Sequence, residues 1–266
     1  MPSGPQRFKR IVLGLQQPRE RDLAMRLAAD LARLLNIELL GMFLEDTSLQ
    51  NLAGMPFARE LRPLGGGWHP LDLGDMSRTL EFASRSAERM FAETAGRLQV
   101  HCRFEIAREP AAAAFATLLQ TSDIVVIGEP ASAAERVTQQ FTWLIQAAFH
   151  SAAAVLVVPG QVAQVSGPIV ALATAPDDAS IAVAANLVRA AGEELVVVQV
   201  GKTATDEEKM RALADARHSG RPLQERLVVT ARGASDGRAA SLIAAERRVP
   251  VLVLESAELA GAERGG

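Results

Sequence analysis

The residues with chemical reach in this chain are few and scattered. Among 266 residues there is one cysteine, Cys102, and four histidines, His69, His101, His150 and His218. None of these histidines stand at the short spacing that puts two ligands on one face of a helix, so no metal site is expected. A lone cysteine excludes an internal disulfide framework. Cys102 sits among strand-patterned apolar neighbours and reads as inert packing. His150, after Phe149 at the end of a helical stretch, reads as a partner for the last helical carbonyls. Asp177 and Asp178 invite comparison with the acidic pair of a phosphoacceptor site. Such a site needs a third aspartate on another strand end and a nearby lysine, and neither is evident. Helix N-capping and a favourable first-turn charge explain the pair more simply. No phosphate-binding Gly-x-x-x-x-Gly-Lys-Ser/Thr loop occurs, and no nucleophile elbow is expected. No catalytic residue is assigned, and the chain reads as a non-enzyme.

Side chains on loops are positioned by the elements between them, and here those elements alternate. Ile11–Leu15 is a short apolar run suited to a strand buried on both faces. Pro18 lies in the turn, and Leu23, Leu27, Leu31 and Leu34 recur at helical spacing to about Leu35. Ile37–Phe43 is a second strand, completing a βαβ opening. Thr47–Asp75 is an unusual insert: Leu49, Leu52 and Met55 suggest a short helix stopped by Pro56, and Gly65–Gly67 with Pro63 and Pro70 mark a loop. Its Phe57 and Trp68 are more apolar than a solvated loop needs. Packing over the sheet's open end, or against the second half, is the simpler reading; a partner-binding or lid segment is the sharper one. A long helix then carries Met76, Leu80, Ala87, Phe91 and Leu98 on one face. Val100–Ile106 (strand), Ala111–Leu119 (helix), Ile124–Ile127 (strand), Thr142–Phe149 (helix) and Ala154–Val158 (strand) follow.

The pattern then restarts after a linker at Gln161–Gly167. Superposing Ile11 on Ile169 also superposes Pro18 on Pro176 and Leu23 on Ile181 without a gap. Leu195–Val200 is the next strand. Arg108, an alanine-rich helix and Ile124–Ile127 find an echo in Arg232, Ala239–Ala245 and Val251–Leu254, so the second copy is expected to stop after its fourth strand. The fold class is α/β: two tandem Rossmann-like units with parallel sheets and helices on both faces, at 1–160 (insert near 47–75) and 167–256.

The order of elements resembles the universal stress protein family. The resemblance rests on Ile11–Leu15, on Asp123-Ile124-Val125-Val126-Ile127-Gly128, and on Ala154-Val155-Leu156-Val157-Val158-Pro159. It implies an adenine nucleotide alpha hydrolase-like fold. It also implies a division between members that bind ATP and members that do not. Binders carry an aspartate after the first strand. They also carry Gly, two residues, Gly, nine residues, then Gly-Ser or Gly-Thr after the fourth, because glycines let backbone approach phosphate. Here the aspartate position is Gln16. The motif begins at Gly128, but its later glycines are replaced by Ala131 and Phe141, leaving only Thr142. In the second copy the corresponding positions are Thr174 and Glu255, the latter repelling phosphate. Ordinary triphosphate binding is therefore expected to be lost. Gln16, Met42, Gly128, Arg136 and Thr142 remain the candidate nucleotide contacts should ATP or AMP bind a remodelled pocket. Arg136 otherwise reads as a solvated arginine, and Thr142 as a helix cap.

Composition narrows the partners. A formal charge of −3 and a pI near 5.9 give no overall pull toward nucleic acid or anionic lipid. The N-terminal basic residues precede an apolar run too short for a signal peptide, and no stretch approaches a membrane span, so a cytoplasmic protein is expected. The leading reading is a stress-response or regulatory protein acting through protein contacts. Leu49, Leu52, Phe57 and Trp68 are the candidate contact residues, and homodimerisation through a free strand edge at 154–158 is expected. The alternative is a nucleotide-binding module, with or without slow ATPase activity.

Overall fold

A computed structural model of the chain describes residues 8–15, 22–45, 55, 57, 59–62, 66–70, 73–108, 111–130, 139–218, 220–232 and 237–255. In chain order the elements are β1 (Arg10–Leu15), α1 (Asp22–Leu35), β2 (Glu38–Leu44), β3 (Arg59–Arg62), β4 (Gly66–Pro70), α2 (Leu73–Arg97), β5 (Cys102–Ala107), α3 (Ala111–Leu118), β6 (Asp123–Gly128), α4 (Gln139–His150) and β7 (Ala154–Val158). There follow β8 (Ile169–Ala173), α5 (Ala179–Ala191), β9 (Leu195–Gln199), α6 (Asp206–Asp215), β10 (Arg217–His218), β11 (Arg221–Pro222), β12 (Leu227–Ala231), α7 (Arg238–Arg247) and β13 (Val251–Leu254).

Nine strands join in a single mixed sheet, β5-β2-β1-β6-β7-β13-β12-β8-β9, giving one α/β body. Side chains alternate across it. Ile11, Leu13 and Leu15 face the side covered by α1, α2 and α5, whereas Val12, Val125 and Val157 face α3, α4, α6 and α7. Because both faces are covered, the central strands β7, β8 and β13 are buried at every position.

All neighbouring pairs of this sheet are parallel except β7–β13, where Val155, Leu156 and Val157 face Val253, Leu252 and Val251 antiparallel. This overturns the expected free edge at 154–158. β7 is central, bonded to β6 on one side and β13 on the other, so no second chain can pair there. The register shows why the expectation failed. β12 pairs with β8 as β6 pairs with β1, and the Glu129 N–H to Val158 carbonyl bond (2.7 Å) is matched by Arg232 N–H to Leu254 (2.6 Å). By register the strand matching Ile124–Ile127 is therefore Leu227–Thr230, not Val251–Leu254. What the second half lacks is a counterpart of α2 and β5, since α6 packs on the face that carries α3.

The insert also differs from expectation. Part of it is an antiparallel hairpin, with Leu61 opposite Trp68 across β3 and β4. Phe57 is 73% and Trp68 65% exposed, so these two side chains do not pack over the sheet or against the second half. Leu49 and Leu52 lie outside the described residues.

Candidate functional site

In a parallel sheet, ligands bind beyond the carboxyl ends of the strands. The antiparallel seam makes the two sets of carboxyl ends open on opposite edges of this body.

At the first set, Gln16 and Arg136 fall outside the described residues. Met42 is buried in the core with Val12, Leu40 and Phe115, and it also borders the groove between α3 and β5. Gly128 closes β6, and a Cβ there would meet Ala24 at 3.3 Å, so its small size serves helix packing. Thr142 lies within α4, which begins at Gln139, and is exposed; it is not the helix cap. The structure places Gly128 and Thr142 outside the lining of the cavity that Met42 borders. That cavity is an open groove of about 410 Å³ between α3 and β5, lined by Met42, Glu105, Ile106, Arg108, Ala114 and Thr117 among others. Arg108 Nε donates to Glu45 at 3.2 Å beside it.

The second set is closed by the chain's own groups. Arg232, at the end of β12, donates to the carbonyls of Ser151 (3.0 Å) and Ala153 (2.8 Å) and lies 5.8 Å from the centre of the Phe149 ring. Burial pushes its guanidinium down from the ordinary arginine value, with Glu255 partly opposing. Gly237 precedes α7 with φ near 80°, and a Cβ there would strike the Phe149 ring at 2.3 Å. The cavity left, lined also by Lys209, Thr230 and Ala240, is about 20 Å³, room for a water at most. At β8, Asp178 caps α5 as expected. It accepts from Ser180 N–H (2.9 Å), Thr174 N–H (2.9 Å) and the Thr174 hydroxyl (3.0 Å). Burial pushes its carboxyl up, but these bonds outweigh burial and hold it below the ordinary value.

One pattern escaped the sequence reading. Gly233-Ala234-Ser235-Asp236-Gly237 is a Gly-x-Ser-x-Gly sequence between a strand and a helix, the context of a nucleophile elbow. Residues 233–236 lie outside the described residues, and no histidine lines the cavity at the start of α7. The other candidates behave as read. The His150 ring Nδ1 is 2.7 Å from the Gln146 carbonyl, and Cys102 is half-buried, with burial pushing its thiol up. Among the described residues no cluster of His, Cys, Asp or Glu could hold a metal, and no helix is long and apolar enough to cross a membrane.

Three solved structures share this architecture. A universal stress protein from Archaeoglobus fulgidus is 11% identical, with a TM-score of 0.60 over 94% of this chain and 98% of its own. A putative universal stress protein from Pseudomonas aeruginosa UCBPP-PA14 is 15% identical, with a TM-score of 0.51 over 97% and 96%. The chain has the universal stress protein fold. A functionally unknown protein from Pseudomonas aeruginosa PAO1 agrees, at 14% identity and a TM-score of 0.52 over 97% and 96%. No protein-family model and no curated protein matches the chain. At these identities the stress-protein likeness concerns fold, and the site must be argued from its own residues.

Proposed function

We propose that the chain is a non-catalytic cytoplasmic regulatory protein made of two tandem universal-stress-protein-like units, acting through protein contacts without ordinary ATP binding. The observation that carries this reading is the small cavity at the carboxyl end of β12, about 20 Å³ among the described residues, bordered by Phe149 and Arg232. The order β9-β8-β12-β13, matching β2-β1-β6-β7, supports the tandem reading. Exposed Phe57 and Trp68 support a contact role for the insert that also holds Leu49 and Leu52.

The groove of about 410 Å³ beside α3, which Met42 borders, favours the second reading, a remodelled pocket for ATP or AMP. A thermal-shift titration with ATP, ADP, AMP and cyclic nucleotides separates the two. A ligand at a hundred times its dissociation constant stabilises by about 2.7 kcal/mol, a rise of a few degrees for a chain this size. No shift is expected; a clear rise with ATP overturns the leading reading. Fluorophosphonate probes should leave Ser235 unlabelled, and labelling would make the chain an enzyme.

A further inference from the structure

The sheet ends in two outer strands that are built differently. β5 carries Arg103 and Glu105, paired at 3.0 Å, and Arg103 also lies 3.9 Å from Glu38. Charged side chains on an outer strand oppose pairing with another chain. β9, Leu195-Val196-Val197-Val198-Gln199, holds no charge. One of its faces packs toward α6, where Val198 and Leu213 are buried. The other leaves Val197 42% exposed, because no counterpart of α2 lies over it.

Its backbone is equally open. The Ile169 N–H to Glu194 and Val200 N–H to Ala173 bonds, with the β8–β9 register, turn the even-numbered residues of this strand toward β8. The N–H and C=O groups of Leu195, Val197 and Gln199 therefore point outward, where no strand lies among the described residues.

We propose that this edge pairs antiparallel with β9 of a second copy of the chain, about a two-fold axis at Val197, joining two sheets into one. Charge selects the direction. Glu193 and Glu194 precede the strand and Lys202 follows it. Antiparallel pairing centred on Val197 brings the Glu194 end of one strand toward the Lys202 end of the other. Parallel pairing would set glutamate beside glutamate. Glu194 and Lys202 are both exposed, and Glu194 already faces His218 at the amino end of the strand. A two-fold pairing is self-complementary and closes at two copies.

Sedimentation of the full chain over a range of concentrations tests this. A shift from the mass of one chain to twice that mass is expected. Val197→Lys should abolish it, while Ile106→Lys, the same change on outer strand β5, should leave it intact. A chain that stays single at the highest concentration overturns the proposal, as does a folded Val197→Lys protein that still doubles. Should Val197→Lys fail to fold, Val197→Cys in a Cys102→Ser background decides. Facing residues of a hydrogen-bonded antiparallel pair have Cα atoms about 5.5 Å apart, within disulfide reach. Oxidation should then link two chains, and monomers alone would count against the pairing.

Discussion

β2 and β9 stand in matching register, with Leu13 beside Gly41 in one half and Ala171 beside Val197 in the other. Over β2 lies α2, whose Phe91 ring comes so close that a Cβ on Gly41 would sit 3.0 Å from it, and 3.1 Å from Phe104. The two rings meet tilted, with centres 6.1 Å apart. At β9 the matching position is Val197, no counterpart of α2 lies over it among the described residues, and the valine is 42% exposed. A second contrast lies at the amino ends. Arg10 and the buried Asp123 form a two-bonded pair within the first half, both contacts at 2.9 Å. The position matching Asp123 is Arg226, which reaches instead to Asp30 on α1 and to Glu193 at 2.9 Å. The Arg10–Asp123 pair stays within the first half, whereas Arg226 also reaches across to α1. The two ends of the sheet thus differ in whether a helix such as α2 covers the strand beside the outermost positions.

The largest effect expected of this difference is at Phe91. Phe91→Ala should cost about 4 kcal/mol in urea unfolding, because it empties the contact under α2. A cost below 1 kcal/mol by this measure would mean that α2 does not seal β2.

Transplanting the residue of the open half sharpens the point. Gly41→Val forces its methyls into Phe91 and Phe104 and should destabilise by about 2 kcal/mol. A neutral result would show that α2 can lift away, and that the two halves differ less than their coverage implies.

The smallest effect belongs to the cap of α5. Asp178→Asn keeps a capping side chain but loses the charge-assisted bonds, costing about 1 kcal/mol near neutral pH. Because the folded carboxyl lies below its ordinary value, its contribution is present above about pH 4 and lost as pH falls through the folded pKa. Wild type and Asp178→Asn should therefore converge in stability under acid. Stability curves that remain parallel down to pH 2 would refute the assignment.

Sequence periodicity located the strands and helices of the central sheet because burial writes itself locally. Ile11–Leu15, Ala154–Val158 and Ile169–Ala173 are uninterrupted apolar runs, and only strands covered on both faces require that. Leu23, Leu27, Leu31 and Leu34 mark α1 through the 3.6-residue period. The cap at Asp178 and the carbonyl contact of His150 were also readable, since each involves residues within one turn. Gly233–Gly237 is equally local, a contiguous Gly-x-Ser-x-Gly run.

Strand order was not available from spacing, because neighbours in a parallel sheet are set by crossovers and not by proximity along the chain. Val251–Leu254 reads equally well as a fourth or a fifth strand. Only its pairing with β7 makes it the last one, closes the edge at 154–158 and leaves β9 open. The hairpin at β3 and β4 hid behind prolines and glycines that suggest a loop. Met42 is a pocket candidate by position, and the pleat turns its side chain to the α3 face, where it is buried and borders the groove. Local pattern decided which residues are strand and which are helix; the antiparallel seam decided which surfaces face water. That division follows from the physics: periodicity records burial one element at a time, whereas an edge exists only once all the strands have chosen their neighbours.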